Sequence, residues 1–273
     1  MLSRRTFLNS SAAALATRHF AAPADAKKPN PELAKLGAVA LGEARKLKAS
    51  YCDIRIIRSR QQFLNIRLNP ERGTGKTLEV PGVGDGGSFG FGVRVIVDGA
   101  WGFAASPLVK PEEIVRITAE AVQVAKANDS LMNKPVVLAP VPTYTDYWQT
   151  PHQRDPFEVP IQEKLELIRN AAAEAKKSQQ VFSAACTLAF RKEDKYFASS
   201  VGSSIQQLNM QTYGIVNSTA VDVTKGLSKT RRFQPPPVTA GYEFVAVMNL
   251  VENAQRVREE VVEHLKPVSA PSH

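Results

Sequence analysis

Residues 81–106, PGVGDGGSFGFGVRVIVDGAWGFAAS, contain the strongest structural signal in this chain. Asp98-Gly99 lies between two apolar runs, and this dipeptide favours a two-residue type I′ turn because both central residues need a positive φ. Such a turn pairs Val97 with Ala100, Ile96 with Trp101, Val95 with Gly102, Arg94 with Phe103, and Val93 with Ala104. The sequence therefore predicts a hairpin with one face of valines and small partners, on which a helix can pack closely.

The composition is typical of a soluble globular protein. The 273 residues are 43% hydrophobic and 22% charged, and this length suits one large or two ordinary domains. The formal net charge is +9, but the basic residues are mostly scattered, which favours a solvated surface over a nucleic-acid site. Cys52 and Cys186 lie within predicted strands, so we expect two small buried residues. A disulfide between them stays open as an alternative if the chain is exported.

Residues 1–26, MLSRRTFLNSSAAALATRHFAAPADA, have the pattern of an export signal. Arg4-Arg5 matches the twin-arginine pattern, and Ala24-Asp25-Ala26 offers small residues at the positions that a signal peptidase reads. The apolar run between them is too short to span a bilayer of roughly 30 Å. We therefore expect export to the periplasm, cleavage after Ala26 and no membrane attachment afterwards. A frayed helix on a cytosolic protein is the alternative.

A first unit of helices and strands is predicted over residues 30–128. In chain order it comprises a helix from Asn30-Pro31, strands over 51–58 and 62–68 joined at Ser59-Arg60, a glycine-rich loop over 69–88, the Asp98-Gly99 hairpin, and a helix from Pro111. Asn30 is a suitable N-cap for the first helix. In both helices the first turn begins with proline followed by glutamate, which favours the positive end of the helix dipole. This unit is therefore predicted to be αββββα.

The second half of the sequence repeats that order. Its predicted elements are a polar linker over 129–160, a helix from Pro160, strands over 181–191, 195–199, 204–213 and 215–223, a basic, proline-rich loop over 225–241, a helix over 246–265, and a tail over 266–273. We therefore predict an α+β fold of two αββββα units, over 30–128 and 161–265, with mostly antiparallel sheets flanked by helices. A structural duplication is a hypothesis that this order suggests.

Two glycine-rich motifs resemble nucleotide-binding signatures but lack their context. Gly73-Thr74-Gly75-Lys76-Thr77 matches the end of a P-loop, but Pro70 stands where glycine is required and no helix pattern comes after it. Residues 82–87 match the dinucleotide fingerprint, but a strand comes next where a helix is needed. We therefore expect a flexible loop here, one that could admit an extended substrate by strand addition.

The chain shows no recognisable catalytic set. Its four histidines are scattered, and neither His-Glu-x-x-His nor His-Glu-x-x-x-His occurs. Residues 260–264 approach the inverted zincin order, but Glu260 stands where histidine is required. Because a catalytic zinc needs about three protein ligands, we assign no catalytic or metal-binding residue.

The hairpin resembles the core signature of the TldD/PmbA family. The resemblance rests on Phe91-Gly92-Val93-Arg94-Val95 followed by 98–105, on the early strand at 51–55 and on the order of elements, over about residues 30–265. Members are zinc metallopeptidases or their paired subunits, formerly called modulators of DNA gyrase, and they act as dimers that admit unfolded peptide. The resemblance implies an N-terminal α/β region followed by a mostly β domain. The family's metal motif lies beyond the equivalent of the helix at 246–265, where this sequence ends.

The export pattern and the resemblance together lead to the hypothesis of an exported, TldD/PmbA-like N-terminal region without the metal motif. We expect it to guide unfolded peptide and to assemble as a homo- or hetero-oligomer with a catalytic chain whose complementary domain binds zinc. The expected substrate-guiding residues are Gly84, Gly86, Gly87, Gly90, Gly92, Arg94 and Trp101. We expect this chain alone to be catalytically incompetent. The alternatives are a non-catalytic binding or assembly protein, as a pseudo-peptidase remnant, and a free-standing enzyme with an unrecognised site.

Overall fold

A computed structural model describes residues 29–129 and 134–266. The export signal predicted over 1–26 and nearly all of the tail predicted over 266–273 lie outside these residues. In chain order the elements are α1 (Pro31–Lys46), β1 (Tyr51–Pro70), β2 (Thr77–Val97), β3 (Ala100–Ser106), α2 (Pro111–Asp129), β4 (Thr145–Gln149), a 3-10 turn (Pro156–Glu158), α3 (Ile161–Lys176), β5 (Val181–Ser199), β6 (Ser204–Asp222), β7 (Leu227–Phe233), α4 (Glu243–Met248) and α5 (Leu250–Glu263).

These strands form one seven-stranded sheet, which confirms an α+β fold flanked by helices. The order is β3-β2-β1-β5-β6, and β4 and β7 both pair with the outer edge of β6. Only β4 pairs in parallel. Each predicted unit contributes three strands in place of the four expected, and β1 and β5 join the two units. The order is symmetric about this junction, as a duplicated unit would be, and the duplication stays a hypothesis.

The predicted break at Ser59-Arg60 is wrong, because β1 is a single strand of 20 residues. It pairs with β2 from Tyr51 to Pro70 and with β5 from Asp53 to Leu68. Polar residues at its centre resembled a turn in the sequence. They are tolerated there because the centre of β1 lies between two separate apolar cores.

The predicted glycine-rich loop over 69–88 is also wrong. Only residues 71–76 lie between strands, and Gly73 and Gly75 turn the chain there with φ values of 79° and 69°. From Thr77 onward the glycines are extended and pair with β1. Glycine has a low intrinsic preference for strands, so this long pairing overrides the local propensity.

The predicted hairpin is confirmed residue by residue. Its register pairs Val97 with Ala100 and continues through Val93 with Ala104, and both turn residues, Asp98 and Gly99, have a positive φ, 52° and 85°. A helix does pack closely on the valine face. A Cβ built on Gly102 would lie 1.9 Å from the carbonyl oxygen of Ala121 in α2.

The second half departs from the prediction in four places. β5 and β6 are each one strand where two were predicted, β7 lies within the predicted loop over 225–241, β4 lies within the predicted linker over 129–160, and the predicted last helix is divided into α4 and α5. The division falls at Asn249, whose φ of 45° ends α4 in the left-handed region. The turn between β5 and β6 lies at Gly202, with a φ of 109°.

Two apolar cores lie on the same face of the sheet, at opposite ends of β1. One core packs Cys52, Ile54 and Ile56 under α1 and α2, and the other packs Leu64, Ile66 and Leu68 under α3, α4 and α5. All six are even-numbered residues of one strand, and alternate residues share a face. No described helix contributes to a core on the opposite face, which we call the open face.

Both cysteines are buried and free, as the sequence predicts. Burial raises the pKa of each thiol, Cys52 and Cys186, to about 12. Within residues 29–129 and 134–266, no helix combines the length and the apolar character needed to cross a membrane.

Candidate peptide-binding edge

The outer edge of β2 is unpaired along most of its length. β3 pairs with β2 only from Phe91 to Val97, and no other described strand pairs with residues 77–90 on that side. Residues 77–88 are exposed except for the half-buried Gly82. At about 3.3 Å per residue, the free edge is roughly 45 Å long.

The backbone groups that point outward along this edge can be identified from the hydrogen bonds of β1. Ser200 donates its N–H to the carbonyl oxygen of Cys52 at 2.8 Å, so the even residues of β1 direct their backbone groups toward β5. The odd residues of β1 therefore bond to the even residues of β2 with which they are in register. The outward-facing positions of the free edge are Glu79, Pro81, Val83, Asp85, Gly87 and Phe89.

Pro81 agrees with this assignment. Proline has no N–H to donate, so it is tolerated in a strand where its nitrogen faces away from a partner. The remaining outward residues offer N–H and C=O groups to an incoming strand.

The glycines with even numbers leave space on the open face. A Cβ built on Gly84 or Gly86 would meet no atom within 4 Å. Both glycines line an open-face cleft of about 750 Å³. Its other lining residues include Gln61, Phe63, Arg191 and Tyr213. Phe63 lies opposite Gly84 on β1 and is 50% exposed.

Asp85 anchors the glycine segment on the helix-covered face. Its carboxylate accepts two hydrogen bonds from Arg60, at 2.9 and 2.8 Å, and one from Gln62, at 2.8 Å. The hydrogen bond from Arg60 is the main reason why the pKa of Asp85 is lowered. No other residue from 82 to 87 has a polar side chain, so Asp85 is the only side-chain anchor of this segment.

Lys164 of α3 holds Gln62, one of the two side chains that bond to Asp85. It is fully buried and donates to Gln62 Oε1 and to the carbonyl oxygen of Pro156. Burial lowers the pKa of Lys164, and the nearby Asp85 carboxylate opposes this effect. This polar group occupies the gap between the two apolar cores.

At three other glycines that were predicted to guide substrate, a side chain would collide with neighbouring atoms of the protein itself. A Cβ on Gly87 would lie 2.4 Å from the Ser59 carbonyl oxygen, and one on Gly90 would lie 3.0 Å from the Ser106 carbonyl oxygen. A Cβ on Gly92 would lie 2.8 Å from the Phe103 ring. Gly87 lies on the free edge, whereas Gly90 and Gly92 line a second open-face cleft. A substrate-guiding role for these glycines stays a prediction.

Arg94 and Trp101 lie beyond the free edge, in a network at the start of β1. Arg94 pairs with the fully buried Asp53 at 2.7 Å and lies over the Trp101 ring at 5.2 Å. Arg55 pairs with the same carboxylate at 3.2 Å. Burial, followed by the charge of Asp53, raises the pKa of Tyr51 to about 12. Arg94 and Trp101 therefore make contacts within the protein, and their guiding role stays a prediction.

No three His, Cys, Asp or Glu side chains within residues 29–129 and 134–266 form a group that could hold a metal ion. The described residues therefore do not fit a zinc site, and we assign no catalytic step to them.

Sequence reasoning brought together Gly84, Gly86 and Gly87 but missed the side chains around them. Phe63 and Arg60 were assigned to a separate strand and to a turn, so their proximity to the glycines was not apparent. One available signal was the spacing of the glycines at 82, 84, 86, 90 and 92, because a period of two is the period of a strand.

Comparison with known proteins identifies relatives of this chain. Residues 79–125, which include most of β2 and the hairpin, match the family model for PmbA/TldA metallopeptidase domain 1. A metalloprotease of Methanothermobacter thermautotrophicus is 27% identical over 225 residues, which are 82% of this chain and 45% of that protein.

Solved structures share the fold at low sequence identity. A protein of Bacteroides thetaiotaomicron described as a modulator of DNA gyrase matches with a TM-score of 0.66 and 14% identity, over 85% of this chain and 50% of that chain. TldE from Thermococcus kodakarensis matches with a TM-score of 0.54 and 16% identity, over 84% of this chain and 47% of that chain. The chain thus spans about half the length of these relatives. Residues 79–125 thus match the first domain of the TldD/PmbA family, and the chain is similar to proteins of that family in sequence and in fold.

Proposed function

We propose that this chain is the peptide-capturing region of an exported TldD/PmbA-like metallopeptidase. An extended, unfolded peptide adds to the free edge of β2, and a catalytic chain or domain of the same family supplies the zinc site. The observation that carries this proposal is the unpaired edge over residues 77–90.

Strand addition suits this edge because the edge has little protection against pairing and because its glycines leave room for a second backbone. Natural proteins usually protect a free edge with charges, prolines, bulges or a covering loop. Here Pro81 is the only proline of the free edge, and the one outward charge within the glycine segment, Asp85, is held by Arg60. The neighbouring glycines present no side chains, so a second backbone can approach closely along this segment.

The proposed partner is a TldD/PmbA-like catalytic chain, in a homo- or hetero-oligomer. Support comes from the TldE relative and from the metallopeptidase description of the matched domain. Export is proposed from Arg4-Arg5 and the small residues up to Ala26. Replacing Arg4-Arg5 with Lys-Lys is expected to abolish delivery of the chain to the periplasm. Unchanged delivery would contradict the twin-arginine route.

A backbone-specific substitution tests the capture step. Val83→Pro removes an outward N–H of the edge and leaves the bonds between β1 and β2 intact, because those bonds use the even residues of β2. Val83→Thr is the matched control, because it retains the N–H and the branched Cβ. We expect a permanently unfolded, reduced and alkylated test protein to bind the wild type and Val83→Thr similarly, and Val83→Pro about tenfold more weakly in Kd. Equal binding by all three would contradict strand addition.

A non-catalytic binding or assembly protein is the competing proposal. The exposed apolar residues Leu78, Val80 and Val83 near the edge, 42% to 52% exposed, suit any protein partner. The two proposals differ in the fate of the captured protein. A complex purified from the native cell through this chain should cleave the unfolded test protein if it contains the catalytic partner. A stable complex that binds this protein and leaves it intact would favour the competing proposal.

A further inference from the structure

We propose that the β2 edge prefers peptide strands with bulky apolar residues opposite Gly84 and Gly86 and an acidic residue opposite Gly87. This inference rests on the proposed strand addition and adds a sequence preference to it. Along the peptide, the pattern is bulky, any, bulky, acidic, read in whichever direction the strand lies.

The apolar part of the pattern arises from the open face. A strand added to the edge would lie about 4.8 Å from β2, and residues opposite Gly84 and Gly86 would project onto the same face as these glycines. The space above both glycines is empty within 4 Å. A large side chain from the added strand can therefore cross a glycine and contact the half-exposed Phe63. Aromatic side chains cover glycines of neighbouring strands in this manner.

The acidic part of the pattern arises from charge complementarity on the other face. The residue opposite Gly87 would project beside a third cleft, of about 430 Å³, that Arg58, Arg60 and Asp85 line together. Arg60 is paired with Asp85. Arg58 lies over the Phe89 ring at 4.3 Å and has no ion-pair partner among the described residues. Among the residues that line this cleft, two guanidinium groups thus accompany one carboxylate, and a carboxylate from the peptide would add a second acidic group beside them.

Three labelled dodecapeptides with an identical threonine-rich background test both parts. Their cores are Phe-Thr-Phe-Glu, Ser-Thr-Ser-Glu and Phe-Thr-Phe-Lys, and each is also made with its core reversed so that parallel and antiparallel strands are both tested. Kd is measured by fluorescence anisotropy with the full chain. We expect the serine peptide and the lysine peptide each to bind about tenfold more weakly than the first. The lysine penalty should shrink at high salt, because the Arg58 site is exposed to solvent.

Two variants assign each preference to its residues. Gly84→Val fills the empty space without an internal clash, and we expect it to abolish most of the preference for phenylalanine over serine. Arg58→Gln should abolish most of the preference for glutamate over lysine. Gly42→Ala on α1 is the control, because a Cβ there also meets no atom within 4 Å. It should leave both preferences unchanged.

The outcomes separate this inference from the proposed function. Equal binding of all three peptides, weakened about tenfold by Val83→Pro, would overturn the sequence preference and leave strand addition intact. Preferences that persist in Gly84→Val and Arg58→Gln would also overturn it. Failure of every peptide and of the unfolded test protein to bind would overturn both proposals.

Discussion

Replacing Gly102 with alanine should destabilise the protein by about 3 kcal/mol or more, because the added methyl group would enter the backbone of a helix. The new Cβ would lie 1.9 Å from the Ala121 carbonyl oxygen and 2.6 Å from the Ala125 nitrogen. Real Cβ atoms essentially never lie within 3.0 Å of another heavy atom, so α2 would have to move by more than about 1 Å. This movement would open the core between the hairpin and α2.

Equilibrium unfolding in urea measures this cost. The same substitution at Gly42 is the control, since Gly42 lies inside α1 and a Cβ there would meet no atom within 4 Å. Gly42→Ala should stabilise the protein by about 0.5–1 kcal/mol, because alanine is the better helix former. A cost below about 1 kcal/mol for Gly102→Ala would refute the close packing of α2 on the hairpin.

Three further predictions concern the caps, thiols and ionisable groups. Asn249→Ala should cost about 1 kcal/mol in thermal unfolding while Asn249→Gly should be nearly neutral, because the φ of 45° suits glycine; equal costs would contradict the left-handed break. Cys52 and Cys186 should resist alkylation at pH 8 until the chain unfolds, because burial raises the pKa of each to about 12; rapid labelling of the native protein, read by mass spectrometry, would contradict their burial. The hydrogen bond from Arg60 lowers the pKa of Asp85. The wild type should therefore be more stable than Asp85→Asn above about pH 4, and urea titrations should show that this difference in stability disappears as the pH falls. A difference that persists undiminished in stronger acid would contradict the pairing.

The hairpin could be predicted from the sequence because its cause is local. The Asp98-Gly99 turn sets the register of its own strands, and the structure reproduces each pair that this turn implies. The resemblance to the TldD/PmbA family rests on the same residues. The burial of Cys52 and Cys186 could also be predicted, because both lie in short strand patterns that are local as well.

The long strands could not be predicted because their cause is not local. Ser59 and Arg60 have the polarity of a turn, but β1 continues through them because β2 and β5 pair with it on both sides. Those pairings join residues that are 27 or more positions apart at this point, Arg60 with Gly87 and with Lys192. The break at Asn249 is similar, since nothing in the helical periodicity indicates a left-handed residue.

The candidate site was only partly predictable for the same reason. Gly84, Gly86 and Gly87 attracted attention as glycines, whereas their position on a free edge depends on where β3 ends. Phe63 and Arg58 contribute through cross-strand register alone. Arg94 was singled out by its place in the family signature, and the structure shows it paired with the buried Asp53.

Hydrogen exchange along β2, measured with and without the unfolded test protein, tests the central claim most directly. The outward amides of Val83, Asp85, Gly87 and Phe89 have no partner in the described sheet, so they should exchange rapidly in the free chain and slow at least tenfold on binding. Amides of the even residues, already bonded to β1, should change little. Slowing confined to other parts of the chain, with the outward amides unchanged, would contradict peptide capture by the β2 edge.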